Sequence, residues 1–119
     1  MMTIKLKRLD LLEIDLLKSH FEELCFPFAC DFSYERQVPL IGLLLLSGEI
    51  CFFKNKKLIA TVQPGFLLGV HHLINFIPNR FRWHVKKNSN LLVMPKSEII
   101  NVLKDHESQI FPLIKELTG

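Results

Sequence analysis

Residues 47–69 read SGEICFFKNKKLIATVQPGFLLG, two apolar runs held between turn formers. Ser47-Gly48 breaks the chain, and residues 49–54 resume with Ile50, Phe52 and Phe53. Asn55-Lys56 suits a tight turn into residues 57–63, a strand containing Leu58, Ile59, Thr61 and Val62. Pro64-Gly65 punctuates again, and residues 66–68 form a short apolar bridge to Gly69. Short strands separated by frequent turns point to an antiparallel β architecture.

The same pattern extends outward. Residues 39–46 are a near-continuous aliphatic run, as expected of a strand buried on both faces. Residues 31–37 are polar and aromatic and suit an edge strand. Residues 80–86 alternate, with Phe81, Trp83 and Val85 on one side and Arg80, Arg82, His84 and Lys86 on the other. Residues 88–90 turn into 91–94, and Pro95 closes the sheet region.

Before this block, Ile14, Leu17, Phe21 and Leu24 recur at helical spacing, which predicts an amphipathic helix over about 10–25 that Pro27 stops. After it, Ser97 is placed as a helix N-cap ahead of Ile99, Ile100, Val102 and Leu103. A last helix carries Ile110, Phe111, Leu113, Ile114 and Leu117, with a kink or fresh start near Pro112. The expected architecture is therefore mainly β with flanking helices. One domain spans 1–119: an antiparallel β-roll, or double-stranded β-helix, over about 32–94, with helices over about 10–25 and 97–117.

A chain of 119 residues with 49% hydrophobic content can bury a substantial core without disulfides. Cys25, Cys30 and Cys51 are odd in number and fit no C-x-x-C spacing, which suits free thiols in a reducing compartment. Asp10, Glu13 and Asp15 interrupt any signal-peptide core, and the longest uncharged apolar run, residues 38–46, is too short to span a bilayer. The expectation is a cytoplasmic protein with no membrane association. The net charge of +3 is unevenly spread: residues 50–97 hold eight Lys and Arg and no Asp or Glu, while both flanks are net acidic. Lys54, Lys56 and Lys57 suit a solvated hairpin tip. Arg80 suits either a solvated strand or an anion contact.

Catalytic patterns are sparse. His71-His72 and His84 invite a metal reading, but residues 50–97 supply no acid, and adjacent histidines diverge on an extended backbone. There is no G-x-S-x-G, no Cys–His pair at a recognisable spacing and no paired carboxylates near the basic region. The expectation is a protein that is not an enzyme and holds no metal, with a cupin-like metalloenzyme as an outside alternative. The Trp83 and Phe81 stripe reads as core rather than as a stacking platform for nucleic acid.

Residues 43–103 resemble the cyclic-nucleotide-binding domain family, the β-roll of catabolite-activator-type regulators and of protein-kinase regulatory subunits. The resemblance rests on Ser47-Gly48-Glu49-Ile50, on residues 58–69 with their P-G-x-x-x-G unit, on Arg80, on the turn at Ser89, and on Met94-Pro95-Lys96 leading into residues 99–103. It covers about half of the chain strictly and nearly all of it loosely. It implies a β-roll in which a short helix and loop after Gly69 would carry the ligand contacts. The phosphate cassette maps onto Gly69, Val70, His71, Arg80, Phe81 and Arg82. In the family an acid follows the second glycine and holds the ribose; here that position is Val70. Arg80 falls where the phosphate-binding arginine belongs, followed by Phe81 in place of a hydroxyl and by Arg82 in place of a small residue. Losing a charge-assisted hydrogen bond of about 1.5–3 kcal/mol weakens binding about tenfold to a hundredfold, which argues against ordinary cyclic AMP binding.

Relatives with DNA-binding activity carry a helix-turn-helix after the roll, and the expectation here is no DNA partner. The resemblance therefore implies a stand-alone, degenerate regulatory or adaptor domain without a required cofactor, acting on another protein. A homodimer through Ile110, Phe111, Leu113, Ile114 and Leu117 is one form of that contact. The alternative is a sensor of a cyclic nucleotide or other phosphorylated anion held by Arg80, helped by His71, His72 or Arg82.

Overall fold

The computed structural model describes residues 6–119. Among these residues nine strands form two sheets. In chain order they are β1 (Lys7–Arg8), β2 (Glu22–Phe26), β3 (Cys30–Ser33), β4 (Ile41–Ser47), β5 (Ile50–Lys54), β6 (Lys57–Val62), β7 (Phe66–Leu68), β8 (Arg82–Val85) and β9 (Ser89–Pro95). Four helices accompany them: α1 (Leu11–Lys18), α2 (Val70–Ile74), α3 (Lys96–Lys104) and α4 (Phe111–Thr118). One sheet runs β1-β7-β4-β9-β2 and the other β3-β8-β5-β6, with neighbouring strands antiparallel. This is the β-roll with helical flanks that the turn spacing predicts.

The aliphatic run in β4 has a direct explanation. Alternate residues of a strand face opposite sides of its sheet. Leu43 and Leu45 point between the two sheets, where they meet Ile50, Phe52, Val62, Leu68 and Val85. Leu44 points the other way, into a second core built with the helices. Strand β9 repeats the arrangement, with Leu91 turned into the roll and Leu92 and Met94 turned toward the helices. A five-stranded sheet covered on both faces needs apolar side chains at every position, so the central strands lose the polar–apolar alternation. Burying each such side chain stabilises the fold by about 1.5–3 kcal/mol.

The β5–β6 hairpin turns at Asn55-Lys56 as expected, with Asn55 in the left-handed region at φ 56° and Lys54, Lys56 and Lys57 exposed. At the other end of β5, Gly48 holds φ 93°, and a Cβ there would sit 2.6 Å from the Ser89 Cα. Only glycine lets the β4–β5 turn approach the start of β9 this closely.

Several expected boundaries are corrected. The helix over 10–25 is shorter: Asp10 and Glu13 cap α1 reciprocally, the Glu13 N–H donating to Asp10 Oδ1 at 2.8 Å, and the helix ends at Lys18. Residues Glu22–Phe26 are strand β2, paired with β9 along their whole length. Phe21 and Leu24 keep helical spacing with Leu17, but the free edge of β9 offers hydrogen-bonding groups that a strand satisfies. The roll therefore begins before residue 32, and even β1 joins it by pairing with β7. Strand β3 covers only the start of the expected 31–37 segment, and β8 is the inner part of 80–86. Helix α3 starts at Lys96 behind Pro95, with no side-chain cap from Ser97. Pro112 marks a fresh start, lying in the first turn of α4. No described helix is long and apolar enough to cross a membrane.

Candidate functional site

The cassette resemblance directs attention to the segment between β7 and β8. Gly69 closes β7 with φ 85° and precedes the one-and-a-half-turn helix α2. Its missing Cβ would lie 2.5 Å from Cη2 of Trp83 and 3.0 Å from the Ile41 carbonyl oxygen. The indole thus fills the space directly against the glycine, 4% exposed and within the inter-sheet core. Phe81 lies in the same core, stacked on Phe52 with ring centroids 5.7 Å apart and planes 10° from parallel. Aromatic side chains therefore pack the roll interior beside the cassette. Trp83 was legible as a core residue from the alternation of residues 80–86, but its seat against Gly69 was not. The aromatic-for-hydroxyl change at Phe81 was the one signal pointing to a filled interior.

The remaining cassette residues do not converge. Val70 is buried in the core between sheet and helices, and a Cβ on Gly42 would meet its Cγ2 at 2.6 Å. His71 and His72 are helical rather than extended, their rings edge-to-face at 6.0 Å. The His71 Nδ1 lies 3.2 Å from the Thr118 carbonyl oxygen, to which Asn75 Nδ2 donates at 2.8 Å, tying α2 to the end of α4. Burial, and then the neighbouring His71, pull the His72 imidazole below its ordinary pKa. Arg80 is exposed, its guanidinium 5.7 Å from the Phe81 ring centroid.

Arg82 is corrected as a cassette residue: it points away from the roll interior. It donates to Asp31 Oδ1 at 2.8 Å from the outer face of the β3-β8-β5-β6 sheet and lies 4.6 Å over the Phe53 ring. His84, two residues on, shares that carboxylate through Nδ1 at 2.9 Å. The alternation of β8 enforces this, since Trp83 between them faces inward. Histidines 71, 72 and 84 thus occupy two separate surfaces. Among the described residues no three His, Cys, Asp or Glu side chains gather closely enough to hold a metal ion.

Burial works to raise the Asp31 carboxyl, but the hydrogen bonds from His84 and Arg82, with their charges, outweigh it and hold it below the ordinary carboxylate range. The lowered folded pKa means that Asp31 stabilises the fold above the unfolded value of about 3.9. That contribution disappears as pH falls through the folded value. Asp31→Asn is expected to cost about 1–2 kcal/mol near neutrality, because Arg82 and His84 lose a partly buried anionic acceptor. Urea unfolding at neutral and strongly acid pH checks this: the gap between the two proteins closes in acid. A gap that persists unchanged would assign the loss to something other than the carboxylate charge.

The residues of α4 expected to meet a partner pack mostly inside the chain. Ile110 and Ile114 are fully buried within the chain's own helical core, together with Leu113 and Leu117. They pack with Leu17, Leu73, Leu92, Met94 and Ile99, so in this conformation they present almost no surface to a partner. Phe111 is half-buried and stacks on His106.

No protein-family model matches the chain, and no curated protein matches it. Solved structures do. The fold is that of the cyclic-nucleotide-binding domain, as comparison with known structures of that type establishes. The catabolite activator protein of Thermus thermophilus superposes with a TM-score of 0.65 at 21% identity, over 91% of this chain and 51% of that one. A cyclic nucleotide-binding domain from Methylobacillus flagellatus gives 0.66 at 22% identity, over 89% and 63%. A protein of a cyclic-GMP-dependent signalling pathway that regulates bacterial phytopathogenesis gives 0.67 at 12% identity, over 93% and 91%. The chain thus spans about half the length of the Thermus protein. At these identities the likeness establishes the fold alone.

Proposed function

We propose that this chain is a regulatory domain that has kept the cyclic-nucleotide-binding roll and given up the nucleotide, acting through contacts with protein rather than by catalysis. The observation that carries this reading is the aromatic filling beside the cassette: Trp83 against Gly69, and Phe81 stacked on Phe52. A nucleotide entering there would have to displace buried aromatic area, and Val70 offers no carboxylate to a ribose. Rigid packing of this kind suits a domain that presents a surface.

Thermal unfolding in the presence of cyclic AMP, cyclic GMP, cyclic dinucleotides and phosphate tests the reading. A ligand at a hundred times its dissociation constant adds about 2.7 kcal/mol and raises the midpoint by several degrees. The expected result is no shift with any of them. A shift abolished by Arg80→Ala would overturn the reading in favour of a sensor that holds an anionic ligand through Arg80. That second reading draws on the exposure of Arg80 in a stretch without acidic residues.

A further inference from the structure

The β5–β6 hairpin ends in a cluster of positive charge that the fold leaves unbalanced. Lys54 and Lys57 are cross-strand partners on either side of the turn at Asn55-Lys56. Directly opposed residues of an antiparallel pair stand about 5 Å apart, and like charges there destabilise the pairing. Residues 50–63 hold no Asp or Glu to relieve it. Elsewhere the chain pairs lysines: Lys7, Lys18 and Lys86 each face a glutamate, at 3.6, 3.7 and 2.7 Å. Among the described residues no carboxylate stands within ion-pair distance of Lys54, Lys56 or Lys57.

A second loop joins the same end. The Asn55 N–H donates to Glu35 Oε1 at 2.6 Å, which holds the turn of residues 34–37 beside the hairpin tip. The Glu35 carboxylate offsets one of the lysines, but the next residue, Arg36, is exposed and restores the positive charge. Arg36 holds φ 70°, a left-handed conformation that strains an L side chain and that glycine adopts freely. Asp31, on the outer face of the same sheet, is already shared by Arg82 and His84. An opposed lysine pair and a strained arginine thus meet at one place, and an anion bound there would relieve the repulsion.

The side chains around the tip select the kind of anion. A single-stranded nucleic acid stacks its bases on a series of open aromatic faces. Tyr34 is exposed, but the rings of β5 and β8 are taken: Phe52 and Trp83 are buried, and Arg82 lies 4.6 Å over Phe53. A membrane is entered by large apolar side chains, whereas residues 54–57 are three lysines and Asn55. A peptide needs only carboxylates for the cations and an apolar residue for Leu58, which is exposed beside Lys57.

We infer that the β5–β6 tip, with Arg36 beside it, is a docking site for an acidic segment of a partner protein. The inference takes from the proposed function only that the domain acts on protein, and adds the surface and the chemistry it meets. Carboxylates of the segment settle among Lys54, Lys56 and Lys57 and screen the opposed pair, while Leu58 gives an apolar contact at the rim. The charges set orientation and make the contact weaken as salt rises.

Fluorescence anisotropy of a labelled oligoglutamate peptide with one central leucine, titrated with the full chain, tests this. At about 0.1 M salt, charges more than about 10 Å apart are largely screened. Lys54→Glu replaces the like-charge pair with an opposite one and is expected to weaken the peptide about tenfold. Arg36→Gly removes a cation and relaxes the turn, for a loss of about threefold. Both variants are expected to melt no lower than the wild type. Lys87→Glu makes the same charge change at the exposed β8–β9 turn, more than about 15 Å away along β8, and is expected to leave the affinity unchanged. No binding by the wild type, no loss with Lys54→Glu, or an equal loss with Lys87→Glu would overturn the site. Tighter binding of oligothymidylate, or of vesicles containing phosphatidylserine, through the same lysines would overturn the protein partner. A nucleotide that shifts the melting midpoint would instead count against the ligand-free reading and leave this site standing.

Discussion

Trp83→Ala is expected to cost about 3–5 kcal/mol, the range for truncating a large aromatic in a packed core. At about 4 °C per kcal/mol for a domain of this size, the midpoint falls by about 12–20 °C. The reasoning is geometric. The indole contacts Gly69 at the cassette, sits in a cluster with Leu43, Leu68 and Val85, and faces inward from a four-residue strand pinned on both sides by β3 and β5. Those neighbours are held by sheet hydrogen bonds and cannot collapse into the vacated volume, so the cavity cost adds to the lost transfer free energy. A second result follows from the same geometry. The apolar void is expected to take up free indole, raising the midpoint of the variant and leaving the wild type unmoved. Circular dichroism melts with and without indole check both, since Trp83 is the only tryptophan in the chain and its fluorescence disappears with it. A loss under about 1 kcal/mol would mean that the indole does not fill the roll, and the ligand-independent reading would lose its main support.

Gly69→Ala is the second large effect, expected at about 2–4 kcal/mol. Two costs combine. At φ 85° an L-residue is strained by about 1–2 kcal/mol, and the new methyl would overlap Trp83 and press on the Ile41 carbonyl. The two can be separated. Trp83→Phe removes the outer ring of the indole, which carries both of the close Trp83 atoms, Cη2 and Cζ3. In that background the overlap with the indole is gone, and Gly69→Ala is expected to cost the backbone share of about 1–2 kcal/mol together with the contact on the Ile41 carbonyl. The difference is a coupling energy of about 1 kcal/mol or more between residues 69 and 83. Equal costs in both backgrounds, measured by urea unfolding, would show that the glycine does not answer to the indole of Trp83.

That coupling also shows why the cassette was only partly readable in the sequence. Gly69, Val70 and Phe81 could be recognised as departures from a nucleotide-binding pattern, because each is a residue type at a spacing. Where the departing side chains went could not. Arg82 was aligned with a cassette position, yet the pleat turns it outward to Asp31, fifty-one residues away in sequence. Ile110, Leu113, Ile114 and Leu117 looked too apolar for a lone terminal helix. They are used up by α1, α2, α3 and the outer face of the β4–β9 sheet, none of which a helical period can reveal.

What the amino-acid order determined by itself was local: turns at Ser47-Gly48, Asn55-Lys56 and Pro64-Gly65, the inward alternation of β8, the doubly buried run of β4, and a helical restart at Pro112. Each follows from backbone freedom or from a period of two or four, information carried within a few residues. Tertiary structure decided the rest. Glu22–Phe26 became a strand because β9 had an edge to pair, against a helical spacing that ran through the same residues. The indole of Trp83 took the space beside Gly69 because β7 and β8 bring those two residues face to face across the roll. Pairing and filling are relations between distant residues, and only the closed sheets impose them.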